Sequence, residues 1–116
     1  APGVHVNGRL TLGENIADIT GVALAHATFR RITAGQPNVT IGGFTREQRF
    51  FIALAQGKFR VKSNAAALRR LVDAPYTVDQ WRLNGALANL SAFAEAFGCK
   101  EGDRMVRQAA LRGNIF

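Results

Sequence analysis

Apolar positions change their spacing along the chain, and each change marks an element. Val4, Val6, Leu10 and Leu12 alternate with polar or small residues around Gly8, which reads as a short extended segment or loop over 4–12. Over 14–32, alanine and aliphatic side chains dominate, and Arg30 and Arg31 sit where the negative end of a helix dipole would fall. This predicts a helix beginning at Gly13 and Glu14. Its apolar residues lie nearly all round between Ile16 and Phe29, a pattern normally buried inside something larger.

Gly35, Pro37, Asn38, Gly42 and Gly43 mark a loop. A second helix starts at Thr45, where Thr45 and Gln48 form a capping-box pattern. Phe50, Phe51, Leu54 and Ala55 give it an apolar stripe, and Gly57 weakens its end. Ser63 suits the cap of a third helix over 64–72, which Pro75 stops. Over 76–89 the pattern assigns no element. Ser91 suits the cap of a short helix through Phe97, ended by Gly98, and one more turn is expected around Met105. The chain therefore reads as one domain at most, mainly α with long loops, lacking a complete core of its own.

Composition sharpens this reading. At 47% hydrophobic and 20% charged, the 116 residues are globular rather than disordered. No apolar run is long enough to span a bilayer, and no N-terminal stretch resembles a signal peptide. The first residue is Ala1, so the expectation is a segment processed or excised from a longer chain. The net charge of +7 invites an acidic partner such as nucleic acid. The arginines are scattered rather than gathered into a stripe with exposed aromatics, which argues against that partner. A single cysteine, Cys99, excludes an internal disulfide and any multi-cysteine zinc site.

Glu14 and Asp18 are four residues apart and share one helical face. Two like charges there repel each other. They tolerate one another if a cation lies nearby, or if Asp18 accepts a hydrogen bond from a cationic or imidazole group. A metal ligand backed by a supporting carboxylate satisfies both conditions. The plainer reading is a solvated acidic first turn, favoured by the helix dipole. His26 lies three turns from Glu14, too far to share a metal with it, and reads as a partly buried helical histidine. His5 has no partner in the sequence. Cys99 reads as a small buried residue, because no base is recognisable beside it.

The stretch from Val6 to Asp18, VNGRLTLGENIAD, resembles the signature of the neprilysin family of zinc metallopeptidases. Further segments resemble that family in its order: Gly43-Phe44-Thr45 with Gln48 to Ala55, then Trp81-Arg82-Leu83-Asn84-Gly85. Phe93 to Lys100, FAEAFGCK, with Gly102-Asp103 and Met105, completes the series. The resemblance covers nearly the whole chain. It implies the helical C-terminal portion of a catalytic domain distantly like thermolysin, with a peptide as substrate and zinc as cofactor.

By that resemblance Glu14 matches a zinc ligand, and Asp18 matches a carboxylate that holds a zinc-binding histidine. Arg82 matches an arginine that binds substrate or transition-state oxygen; its structural alternative is a salt bridge to Asp73 or Asp79. The sequence departs from the family in two places. The H-E-x-x-H helix, which supplies two histidines and the base, is absent from these residues. Tyr76 stands where a histidine that stabilises the oxyanion is expected; a phenol can still donate a hydrogen bond there.

The resemblance therefore implies a zinc metalloendopeptidase fragment acting on oligopeptides and completed by an upstream segment of the same protein. By itself it would be inactive and would hold zinc weakly or not at all. The full-length protein is expected in the periplasm or outside the cell, with any signal peptide or anchor preceding Ala1. The rivals are a non-catalytic peptide- or partner-binding module and a basic nucleic-acid-binding domain. Core surface left bare on a fragment would also favour association of copies.

Overall fold

The computed structural model describes residues 7–58 and 79–113, and among these it has four α-helices and one short 3₁₀ turn. The first helix, α1, spans Gly8–Ile32, so it begins before the expected start at Gly13 and Glu14. Asn7 is the reason. Its side chain accepts from the Leu10 amide at 3.2 Å, satisfying one of the free donors of the first turn. Residues 8–12 are thus helical, and the extended reading of that stretch is corrected. Positions 4–6 lie outside the described residues. At the other end Arg30 and Arg31 occupy the last turn, where cations oppose the dipole's negative pole.

The loop after α1 carries a tight hairpin-like turn. Ile41 and Phe44 exchange both backbone hydrogen bonds, at 3.0 and 3.1 Å. Gly42 and Gly43 between them have φ of +60° and +82°, as a type I′ turn requires and as glycine alone adopts cheaply. Helix α2 follows over Arg46–Lys58. Its capping box closes as the sequence predicts: the Gln48 amide donates to Thr45 Oγ1 at 3.2 Å, and the Thr45 amide donates to Gln48 Oε1 at 2.9 Å.

The expected helix over 64–72, with Ser63 and Pro75, falls outside the described residues. Helix α3 spans Asp79–Ala88, within the stretch where the pattern assigned nothing. Helix α4 spans Ser91–Phe97. Ser91 makes no capping bond; Leu90 occupies the cap position in extended backbone. Gly98 ends α4 at φ +66°, with Cys99 N–H donating to the Ala94 carbonyl and Gly98 N–H to the Glu95 carbonyl, a Schellman ending. Cys99 is half-buried rather than buried. The tail makes turns around Met105 and then a 3₁₀ turn, Ala109–Leu111, which the pattern did not signal.

The core is small and sits where α1, α2, α3 and α4 meet. Val22, Phe51, Leu83, Ala86 and Leu87 are buried, with Ile19, Leu54, Phe93 and Met105 packed against them. Phe51, 2% exposed, is its centre, with edge-on contacts to Phe50 and Phe93. Helix α3 lies chiefly against α1, and α2 packs on α4 and α3. Part of the apolar surface of α1 is left bare beyond this core: Leu12, Ile16 and Leu24 are 56%, 44% and 60% exposed. That matches the all-round apolar pattern, which no single small core can cover.

Candidate functional site

Glu14 and Asp18 project from the second and third turns of α1, because the helix starts at Gly8. They are therefore not a solvated acidic first turn. Asp18 is largely buried, with a side chain 12% exposed, and a buried carboxylate needs partners. Arg82 on α3 supplies them. Its Nε donates to Asp18 Oδ2 at 2.5 Å and its Nη2 to Asp18 Oδ1 at 2.8 Å, a two-pronged fork. Lys58, at the end of α2, places Nζ 3.5 Å from Asp18 Oδ1. Three helices thus converge on one carboxylate.

Glu14 sits one turn away and is more open. Arg82 Nη2 lies 3.7 Å from Glu14 Oε2, within ion-pair range but beyond a good hydrogen bond. The like charges at 14 and 18 are held together by the shared guanidinium. Arg82 responds in kind: its hydrogen bond to Asp18 raises its pKa above the ordinary arginine value, against the opposing effect of burial. The fields of Asp18, Glu14 and Asp79 add to the rise. Arg82 is therefore a fixed cation at every accessible pH. Its fork partner is Asp18, and Asp79 acts on it through its field; the alternative partner Asp73 lies outside the described residues.

On its other flank, Arg82 lines an open cleft of about 290 Å³ with Asn15, Ile19, Trp81 and Arg107. Trp81 and Arg107 were missed as cleft residues in the sequence. The chain's one tryptophan, next to a motif arginine, was the available signal, and the structure leaves its indole half-exposed. Tyr76 lies outside the described residues.

His26 has a different role. It is 7% exposed, stacks on Phe51 at 5.1 Å, and pairs through Nε2 with Glu47 Oε2 at 2.5 Å. It fastens α1 to α2 and is remote from Glu14 along the helix.

As a metal site the arrangement is one corner. Among the described residues no three His, Cys, Asp or Glu side chains cluster to hold an ion. Glu14 fits a single anionic oxygen ligand, half-open and next to a held carboxylate. A catalytic zinc ordinarily takes three protein ligands. Among the described residues, no helix is long and apolar enough to cross a membrane.

Comparison with known proteins gives this corner a context. Neprilysin-3 of Drosophila melanogaster is 36% identical over 108 residues, covering 89% of this chain and 14% of that protein. Human endothelin-converting enzyme 1 is 33% identical over 106 residues, with the same coverage of each. The chain thus spans about one seventh of the length of the curated relatives it matches. A cryo-EM structure of the Mycobacterium tuberculosis zinc metalloprotease Zmp1, in its open state, superposes with a TM-score of 0.90 at 37% identity. That match covers 99% of this chain and 18% of Zmp1. The fold is accordingly that of a helical C-terminal portion of such a metallopeptidase. The family model for Peptidase family M13 matches residues 1–112, and the chain belongs to that family, the neprilysin family of metallopeptidases.

Proposed function

We propose that these residues are the C-terminal portion of the catalytic domain of a zinc-dependent endopeptidase that hydrolyses peptide bonds in oligopeptides. The observation that carries the reading is the joint on α1, where half-open Glu14 stands one turn from an Asp18 clamped by the Arg82 fork. Glu14 is assigned as the carboxylate ligand. Asp18 is assigned to orient a zinc-binding histidine. An ionised carboxylate has about four acceptor positions, and the Arg82 fork uses two of them, leaving capacity for an imidazole N–H. Zinc, when bound, polarises the scissile carbonyl and makes water more acidic.

Arg82 has two tasks in this reading. It fixes Asp18, and its permanent charge next to the site favours a substrate carbonyl or a developing oxyanion. Tyr76 is assigned to donate a hydrogen bond to the same oxyanion, in place of the family's histidine. Since Glu14 is one ligand of the usual three, the reading draws two histidines and a general base from an upstream segment of the same protein. The bare apolar side of α1 supports this, because it is a surface suited to burial against more protein.

The same bare side favours a second reading, a non-catalytic binding module derived from such a peptidase. A nucleic-acid role is the weakest of the three. Arg46, Arg49, Arg107 and Arg112 donate into the chain's own carbonyls and Arg82 into Asp18, so these cations fasten the fold. The test is cleavage of a quenched fluorescent oligopeptide by the full-length protein and by the 116-residue chain. Chelator-sensitive cleavage is expected from the full-length protein only. Chelator-sensitive cleavage by the chain alone would contradict the reading, and none by either would favour the binding module.

A further inference from the structure

Between α1 and α2, away from Glu14, runs an open groove of about 430 Å³. Ala25, Phe29, Phe50 and Leu54 form its apolar floor, with Arg46 and Arg49 on the rim. The two arginines are three residues apart on α2 and share a face. Both are pinned. Arg46 Nη1 donates to the Thr33 and Gln36 carbonyls at 3.0 and 3.2 Å, and Arg49 Nη1 donates to the Val39 and Phe44 carbonyls at 2.7 and 2.8 Å.

These partners are neutral. Among the described residues no carboxylate lies within ion-pair distance of either guanidinium, and the adjacent Glu47 is taken by His26. Arg46 Nε is buried without a hydrogen-bond partner. Two uncompensated cations near the start of α2 also work against its dipole. A pinned pair of positive charges beside an apolar floor complements a carboxylate flanked by apolar side chains.

We propose that this groove seats an acidic, apolar-flanked segment belonging to the same longer protein. The proposal rests on the reading of this chain as part of a larger peptidase. The occupant follows from the charge complement and from length, since the chain accounts for only 14% of Neprilysin-3 and of endothelin-converting enzyme 1.

The experiment places a photo-crosslinking benzophenone amino acid at Ala53, an exposed residue lining the groove, in the full-length protein. After irradiation the attached peptide is identified by mass spectrometry. The expected adduct is intramolecular, outside these 116 residues, on a peptide with Asp or Glu beside apolar residues. Its yield should fall by at least about threefold in Arg49→Gln. Arg49→Lys, which keeps the charge but loses the paired carbonyl bonds, should retain most of it. No adduct, an adduct on this chain or on another protein, or one on a peptide lacking an acidic residue overturns the proposal. So does an unchanged yield in Arg49→Gln, or an equal fall in both variants. A gene product that ends at these 116 residues overturns this proposal and the peptidase reading together. A full-length enzyme that cleaves peptides but gives no adduct overturns this proposal alone.

Discussion

Helix α1 carries two charged pairs, and they are built differently. At Asp18 a fork from α3 grips a carboxylate on both oxygens, with Lys58 nearby and Glu14 left half-open. At His26 a single contact to Glu47 is packed against Phe29, Phe50 and Phe51. The first pair holds a carboxylate rigid next to one that faces outward. The second ties two helices, its imidazole stacked on the ring at the centre of the core. One helix thus carries the candidate site in its N-terminal half and a structural joint in its C-terminal half. Geometry separates the two where residue type does not, since histidine is the commoner metal ligand.

Substitutions can break this contrast. The largest expected effect is Phe51→Ala, which removes the ring beneath His26 and should cost about 3–5 kcal/mol in denaturant unfolding. It should leave the Arg82–Asp18 fork intact wherever the fold survives. Arg82→Ala should come next, at about 3 kcal/mol, because it leaves a largely buried Asp18 with the more distant Lys58 in place of the fork. Arg82→Lys should recover part of that loss but not the fork. Glu47→Gln keeps a hydrogen bond to His26 and should cost only about 1 kcal/mol by the same measurement.

The smallest effect concerns pH. Arg82 has a raised pKa, so its contribution is fully present below the unfolded value and is lost only above the still higher folded value. Between about pH 6 and 10 Arg82 therefore adds no titration of its own to the stability. Unfolding midpoints of Arg82→Lys, measured between about pH 6 and 9, below the range where the lysine itself titrates, should run parallel to those of the unsubstituted protein. A gap that widens or closes with pH would show the guanidinium to be differently placed.

Local signals were the most legible in the sequence. The Thr45 and Gln48 box and the Gly98 stop act within a few residues, and each closes as the pattern predicts. Asn7 is an equally local cap, but Gly8 and the alternation around it read as an extended break and obscured the start of α1. Helix α3 escaped assignment because Leu83, Ala86 and Leu87 are buried by contact with other helices rather than by a strong pattern of their own. A cation beside Glu14 and Asp18 was one of two readings their spacing allowed, the plainer one being a solvated first turn. That the cation is Arg82, 64 positions from Asp18, is a product of the fold and has no local trace.

The most direct test is the zinc content of the purified full-length protein, read by elemental mass spectrometry for three variants. The account predicts that Glu14→Ala abolishes bound zinc. Asp18→Ala should weaken binding by about 10–100-fold, as loss of a carboxylate behind a metal ligand does. Glu47→Ala should leave zinc unchanged, because its partner His26 serves the α1–α2 joint. Full zinc occupancy in Glu14→Ala would contradict the account, as would loss of zinc in Glu47→Ala with the fold intact.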